Sequence, residues 1–377
     1  MAWGEWSLKR LSVWTPGEEA AIRSFLSSGG LGFDAQKPDL LVIACNARGD
    51  IIGTGALAGN VLKQILVSDE YRGSGLFSDI VGALMEEAAG RGLFHLFVFT
   101  KPQAVHLFKG LGFNLIVETE LAALLEYGRP NLEDYLQRLG QERRPIPEPG
   151  PGHKQGSSAG PAPEPEPVSK AKIPKVAGIV VNCNPFTLGH RYLIETASLE
   201  SSEVHIFVVT EDRSLFPTKV RLHLVKEGTK DLENVVVHEA GPYIISAATF
   251  PNYFLRCPGE ATRAQAELDA TVFGKHIAPV FGINTRFVGE EPLDATTSQY
   301  NEALSRVLPR YGISVRIVPR LTKDGAPVSA SSVRKAIQKG DWEHVSRLVP
   351  KTTLDFLKSS DAEGIIERIR ASGSRPH

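Results

Sequence analysis

The sequence predicts an α/β protein in two domains: a mixed α+β domain over residues 1–142, then a domain with a helix-covered parallel sheet over residues 175–377. Three observations predict it. Residues 143–174 are rich in Pro, Gly, Ser and Glu and poor in large apolar side chains. Nothing there offsets the entropy lost on ordering, so a flexible to semi-extended linker between two independently folded units is expected. Before this stretch, short apolar runs pair around a turn. After it, apolar strands alternate with amphipathic helical segments, the pattern of parallel strands covered on both faces.

In the first domain, Glu18 to Leu26 predicts a helix. Leu40 to Cys45 and Ile51 to Leu57 flank Asn46-Ala47-Arg48-Gly49-Asp50, which predicts a strand pair around a turn. Val61 to Val67 is a third strand. Phe77 to Ala89 is a helix with Ile80, Val81, Leu84 and Met85 on one side, and His95 to Thr100 is a strand. Pro130 to Leu139 predicts a closing helix.

Arg72-Gly73-Ser74-Gly75 lies between a strand and a helix. Glycines there let the loop turn tightly and bring backbone donors close to phosphate oxygens. The order strand, Arg-Gly-x-Gly, helix resembles the coenzyme A pyrophosphate loop of the N-acetyltransferase superfamily. Ala104 to Phe108, leading to Leu111-Gly112-Phe113, resembles that superfamily's second cofactor wall. The resemblance implies that Arg72, Gly73, Ser74 and Gly75 hold a coenzyme A-like group. Phe77 stands where the superfamily usually has a small residue. No residue stands out as a general base: Glu86, Glu87 and His95 read as helix-face charges or strand packing. Binding of the group is favoured over independent acetyl transfer.

In the second domain, strands are expected at Val176 to Val181, Val204 to Val209, Val235 to Val237, Thr285 to Val288 and Ser314 to Val318. Helices are expected at His190 to Leu199, Thr218 to Lys226 and Ser298 to Val307. Between the first strand and helix runs Asn182-Cys183-Asn184-Pro185-Phe186-Thr187-Leu188-Gly189-His190. A strand–loop–helix junction turns unpaired backbone N–H groups toward an anion. Ligand-contacting loops gather at the carboxyl ends of parallel strands. Glu211 to Pro217 is one such loop, and Lys219 and Arg221 open the next helix, within possible reach of phosphate. Gly289-Glu290-Glu291 is another. In Ser329-Ala330-Ser331-Ser332-Val333-Arg334, the serines cap a helix and Arg334 sits one turn inside.

Thr-x-Gly-His followed by Ser-x-Ser-x-x-Arg resembles the paired signatures of the nucleotidylyltransferase superfamily. The resemblance implies a Rossmann-like domain that binds ATP with Mg²⁺ on its phosphates. It places Asn184, Pro185, Phe186, Gly189, Gly289, Glu290, Ser329 and Ser331 around the nucleotide, and His190, Thr187 and Arg334 at the reacting phosphates. Thr187 stands where the superfamily often has a second His, so its chemical role is open.

The joining of these two domains resembles the [citrate (pro-3S)-lyase] ligase family. Gly241 to Leu255, Thr100-Lys101-Pro102 and Asp269 to Ala278 resemble it too, as does the Thr187 form of the loop. Membership would imply two half-reactions. Acetate and ATP give acetyl-AMP and pyrophosphate. The thiol of a coenzyme A-like prosthetic group on the citrate lyase acyl-carrier subunit then takes the acetyl group, and AMP leaves. Other readings are a nucleotidylyltransferase for a small phosphate-bearing cofactor precursor, a non-catalytic acyl-CoA and nucleotide sensor, and an active N-acetyltransferase.

Composition bounds the partners. Lys+Arg number 42 and Asp+Glu 43, so no global basic field argues for nucleic acid. Cys45, Cys183 and Cys257 are odd in number and far apart, which fits a reduced, cytoplasmic protein better than a disulfide framework. No permanent metal or cofactor and no membrane span is expected.

Overall fold

The computed structural model describes residues 6–33, 37–142, 174–210, 214–244, 250, 253, 258–290, 295–323 and 325–372. The expected linker lies outside the described residues apart from Pro174. Glu211 to Arg213, Glu291, Cys257 and most of the Gly241 to Leu255 segment lie outside them too.

The first domain is a seven-stranded mixed sheet. Its strands are β1 (Ser7–Leu11), β2 (Leu40–Cys45), β3 (Ile51–Ala58), β4 (Val61–Val67), β5 (His95–Thr100), β6 (Asn114–Glu118) and β7 (Ala123–Gly128). They lie in the order β1-β2-β3-β4-β5-β7-β6. Of these, β1, β6 and β7 are strands not predicted from the sequence. All neighbours are antiparallel except β4 and β5, which pair in parallel at only Val61–Phe97 and Leu62–Val98. Past Leu62 the two strands part and leave a wedge. Gln64, with φ 52°, lies in β4 just past that pairing. The helices are α1 (Pro16–Ser28), α2 (Leu76–Gly90), α3 (Val105–Lys109) and α4 (Leu132–Gln141). A capping box between Thr15 and Glu18 sets the start of α1, with Pro16 at its first position.

The second domain is a five-stranded parallel sheet in the order β10-β9-β8-β11-β12. The strands are β8 (Val176–Val181), β9 (Glu203–Val208), β10 (Val235–Glu239), β11 (Thr285–Gly289) and β12 (Ser314–Val318). The chain enters in the middle, builds outward to β10, then crosses back to β11. That reversal opens a crevice at the carboxyl ends of β8 and β11, where ligands of such sheets sit. Helices α5 (Leu188–Glu200), α6 (Thr218–Thr229), α7 (Pro258–Val272), α8 (Ala278–Phe281) and α9 (Ala295–Val307) join the strands. The remaining helices are α10 (Ala330–Lys339), α11 (Trp342–Leu348), α12 (Lys351–Leu357) and α13 (Glu363–Ser372).

One hydrophobic core spans both domains. Phe97, Phe99, Ile116 and Leu124 of the first sheet cluster with Leu268, Phe273 and Phe281 of the second domain. Buried polar groups seal the junction. Tyr135 donates from its hydroxyl to Ala240 O, and His276 Nε2 meets Ile116 O at 3.1 Å. Glu126 receives Tyr243 Oη and, at 2.9 Å, His95 Nε2. Burial pushes the Glu126 carboxyl up, but hydrogen bonds from His95, Tyr243 and the Leu132 amide outweigh it and hold the pKa below the usual value. His95 thus sits in the domain junction, while Glu86 and Glu87 pair with Arg10 on the surface.

Candidate active site

The second residue of the loop after β8, Cys183, lies in the left-handed region, φ 52°. The Cys183 thiol is buried, which raises its pKa and suppresses the thiolate. Arg221, read from sequence as within possible reach of phosphate, is instead fully buried and fastens this loop. Its guanidinium donates to Asn182 O at 2.9 Å, Asn182 Oδ1 at 2.8 Å, Val209 O at 2.6 Å and Phe216 O at 2.9 Å. Asn184 Oδ1 accepts from the Phe216 amide at 3.0 Å. Phe186 is buried against Gly228, where a Cβ would lie 2.4 Å from the ring.

Thr187 is the N-cap of α5. Its hydroxyl faces the His190 amide at 3.4 Å, and its own amide donates to His190 Nδ1 at 3.1 Å. An Nδ1 that accepts a backbone N–H carries no proton, so the neutral ring carries its hydrogen on Nε2. Thr187 Oγ1 stands 2.9 Å from the same Nδ1. Burial, and then the nearby Arg320 charge, pushes the His190 pKa down to about 4. At neutral pH the residue is therefore a fixed, uncharged donor.

Gly189 lets a second helix start approach: a Cβ there would lie 2.8 Å from Val328 O. Ser329 caps α10 by accepting from the Ser332 amide at 3.0 Å. Arg334 Nη1 crosses to Asn184 O at 2.5 Å, and Nη2 donates to Ser331 at 3.2 Å. Two helix N-termini, each with unpaired amides and a positive dipole end, are thereby locked side by side.

Between them a cleft of about 390 Å³ opens. Its wall includes Thr187, Gly189, His190, Gly289, Ser329 and Ser331, so these predicted residues come together. Asn184, Pro185, Phe186 and Arg334 lie behind that wall and brace it. Glu290 lines a neighbouring cavity with Ser298 and Arg306. Sequence reasoning missed Arg320 and Arg286, which also line the cleft. The signals were an arginine just past the carboxyl end of β12 and a charged residue inside the apolar strand β11. Among the described residues the wall holds two arginines and no carboxylate, a chemistry suited to a polyanion.

In the first domain, the wedge between β4 and β5 is a cavity of about 880 Å³. Arg72, Gly73 and Gly75 line it, together with Phe77, Thr100 and Lys101. Gly73 and Gly75 have φ of 79° and 95°, conformations that an L side chain resists. Ser74 serves the loop itself, donating to Tyr71 O at 2.7 Å and accepting from the Leu76 amide at 3.3 Å. Phe77 forms part of the wall and packs edge-on against Phe108 at 5.2 Å. Tyr253 of the second domain also reaches this wall.

A model of the citrate lyase ligase C-terminal domain matches residues 176–357, and one of the acetyltransferase (GNAT) family matches residues 5–113. A [citrate [pro-3S]-lyase] ligase of Klebsiella pneumoniae is 36% identical over 342 residues, covering 89% of this chain and 92% of that protein. The chain belongs to the citrate lyase ligase family. A citrate lyase ligase of Escherichia coli K12 is 34% identical and covers 90% of both chains. A solved structure of Thermotoga maritima TmcAL bound with alpha-thio ATP is 17% identical over 51% of this chain and 57% of that one, with a TM-score of 0.33. No helix among the described residues is long and apolar enough to cross a membrane.

The buried histidines of this citrate lyase ligase family member predict acid sensitivity. Burial lowers the pKa values of His190, His238 and His276. Folded values below the unfolded value near 6.5 mean that the unfolded chain binds more protons on acidification. Their contribution is therefore whole above pH about 6.5 and is lost as pH falls toward the folded values, about 4 for His190. The urea midpoint is expected to drop steadily from pH 7 to pH 4.5, and less steeply in His238→Gln. A flat or rising midpoint over that range would contradict this.

Proposed function

We propose that the protein is an ATP-dependent ligase that adenylates acetate and passes the acetyl group to the thiol of the coenzyme A-like prosthetic group on the citrate lyase acyl-carrier subunit. The observation that carries the reading is the His190 Nε2–H donor held beside two helix N-termini in a cleft whose described wall has no carboxylate. Backbone donors and arginines suit the triphosphate. A carboxylate oxygen attacks the α-phosphorus, an O–P bond forms, and the bond to the β-phosphate oxygen breaks as pyrophosphate leaves with the electron pair. His190 Nε2–H donates to the charge that builds on the phosphoryl oxygens. Ser331 and the α10 amides hold the departing phosphates, with Arg334 bracing Ser331. The described wall offers Mg²⁺ no carboxylate, so the ion would be held by phosphates and water and would neutralise phosphate charge there.

In the second half-reaction the prosthetic-group sulfur forms a bond to the acetyl carbon, AMP leaves, and the thiol proton goes to solvent. The 880 Å³ wedge with its Gly73 and Gly75 loop suits the nucleotide-like part of the arm. The test is exchange of labelled pyrophosphate into ATP. Exchange is expected only when acetate is present, and AMP should accumulate once deacetylated citrate lyase is added. Exchange that ignores acetate but needs a phosphate-bearing acceptor would replace this reading with the cofactor-precursor one. Nucleotide binding without exchange or AMP would support the sensor.

A further inference from the structure

We infer that Arg286 anchors the carboxylate of the acyl substrate at the floor of the adenylating cleft. This rests on the adenylation reading above. Arg286 lies on β11, three residues below Gly289, and is 2% exposed. It shares the cleft wall with His190 and Gly189. Its guanidinium lies over the Phe273 ring at 4.3 Å and reaches the Tyr300 hydroxyl, which in turn donates to Asp269. Nε and Nη1 are both buried with no hydrogen-bond partner.

A buried cation with unspent donors is costly, and such groups in native proteins await a partner. The partner must be an acceptor small enough for a site walled by Val180, Val288 and Asn301. A short-chain carboxylate meets both needs: its oxygens accept from the guanidinium while its alkyl end rests on valine. The triphosphate already has two helix starts and Arg320 nearer the strand ends. Arg286 sits deeper, on β11 itself, and shares this part of the wall with Tyr300 and Asn301 of α9.

The test compares the parent with Arg286→Met and Arg286→Lys in acetate-dependent pyrophosphate exchange. Arg286→Met is expected to raise KM for acetate about 100-fold, the loss of one charge-assisted contact, with KM for ATP within about twofold. Arg286→Lys should recover part of the loss. Because Nε and Nη1 have no partner to lose, Arg286→Met should lower Tm by less than Arg221→Met does. Line broadening of acetate alone by the protein, measured by NMR, gives a readout that does not depend on turnover. Broadening by the parent that vanishes in Arg286→Met supports the anchor, even if the parent shows no exchange and the adenylation reading falls. Unchanged KM for acetate, an equal rise in KM for ATP, or acetate broadening that is absent or the same in both proteins would overturn the anchor.

Discussion

His190→Ala is expected to lower acetate-dependent pyrophosphate exchange by about 100- to 1,000-fold, the usual cost of removing one donor aimed at developing charge. The melting temperature should stay within a few degrees, because the ring is partly open to the cleft. The structure specifies which form of the histidine works. The Thr187 amide occupies Nδ1 at 3.1 Å, and burial keeps the ring neutral down to about pH 4. A neutral Nε2–H donor gives a rate that does not fall as pH rises through 6.5. A catalytic imidazolium would lose activity there. His190→Ala retaining full exchange, or a parent rate that declines tenfold per pH unit above 6.5, would remove this role. Thr187→Val leaves the backbone bond in place, so its loss should be well below that of His190→Ala.

Arg221→Met is expected to destabilise the protein by about 3 to 5 kcal/mol, lowering Tm by more than about 5 °C and abolishing exchange with it. Arg221 serves the carbonyls of Asn182, Val209 and Phe216 and the side chain of Asn182. Removing it leaves the carbonyls of buried Phe216 and half-buried Val209 without their donor and frees the Asn182 turn, and the desolvation cost of the buried acceptor remains. Arg221→Lys should rescue little, since one ammonium cannot reach acceptors spread around a planar guanidinium. A Tm equal to the parent's would show that the loop holds itself. The two buried arginines thus have different expectations under the same substitution. Arg221 is saturated with partners, whereas Arg286 has donors to spare.

That contrast marks the limit of what the sequence makes legible. The sequence reads Val61–Val67 and Val176–Val181 to the residue, because each begins and ends on valine in a β-branched, largely apolar stretch. Capping serines mark the start of α10, α5 starts two residues before the expected His190, and the two motifs bring Thr187, Gly189, His190, Ser329 and Ser331 to one cleft. Placing Asn184 and Arg334 behind the wall needs the fold, since their contact joins residues 150 positions apart. Arg221 and Arg286 are both charged residues on regular elements, and no local rule separates a saturated guanidinium from one with donors to spare. The junction is equally hidden. Tyr135 reads as one apolar position on a helix, yet its hydroxyl is spent on Ala240 in the other domain.

The face of the first sheet that meets the second domain limits exchangeability. A free-standing acetyltransferase keeps that side of its sheet compatible with water or with a partner of its own. Here Phe99, Ile116 and Leu124 are committed to Leu268 and Phe273, and the arm-sized wedge takes a tyrosine from across the boundary. Grafting in another acetyltransferase-type module would bring a matching loop but no matching back. The two halves have to be inherited, expressed and redesigned as one piece.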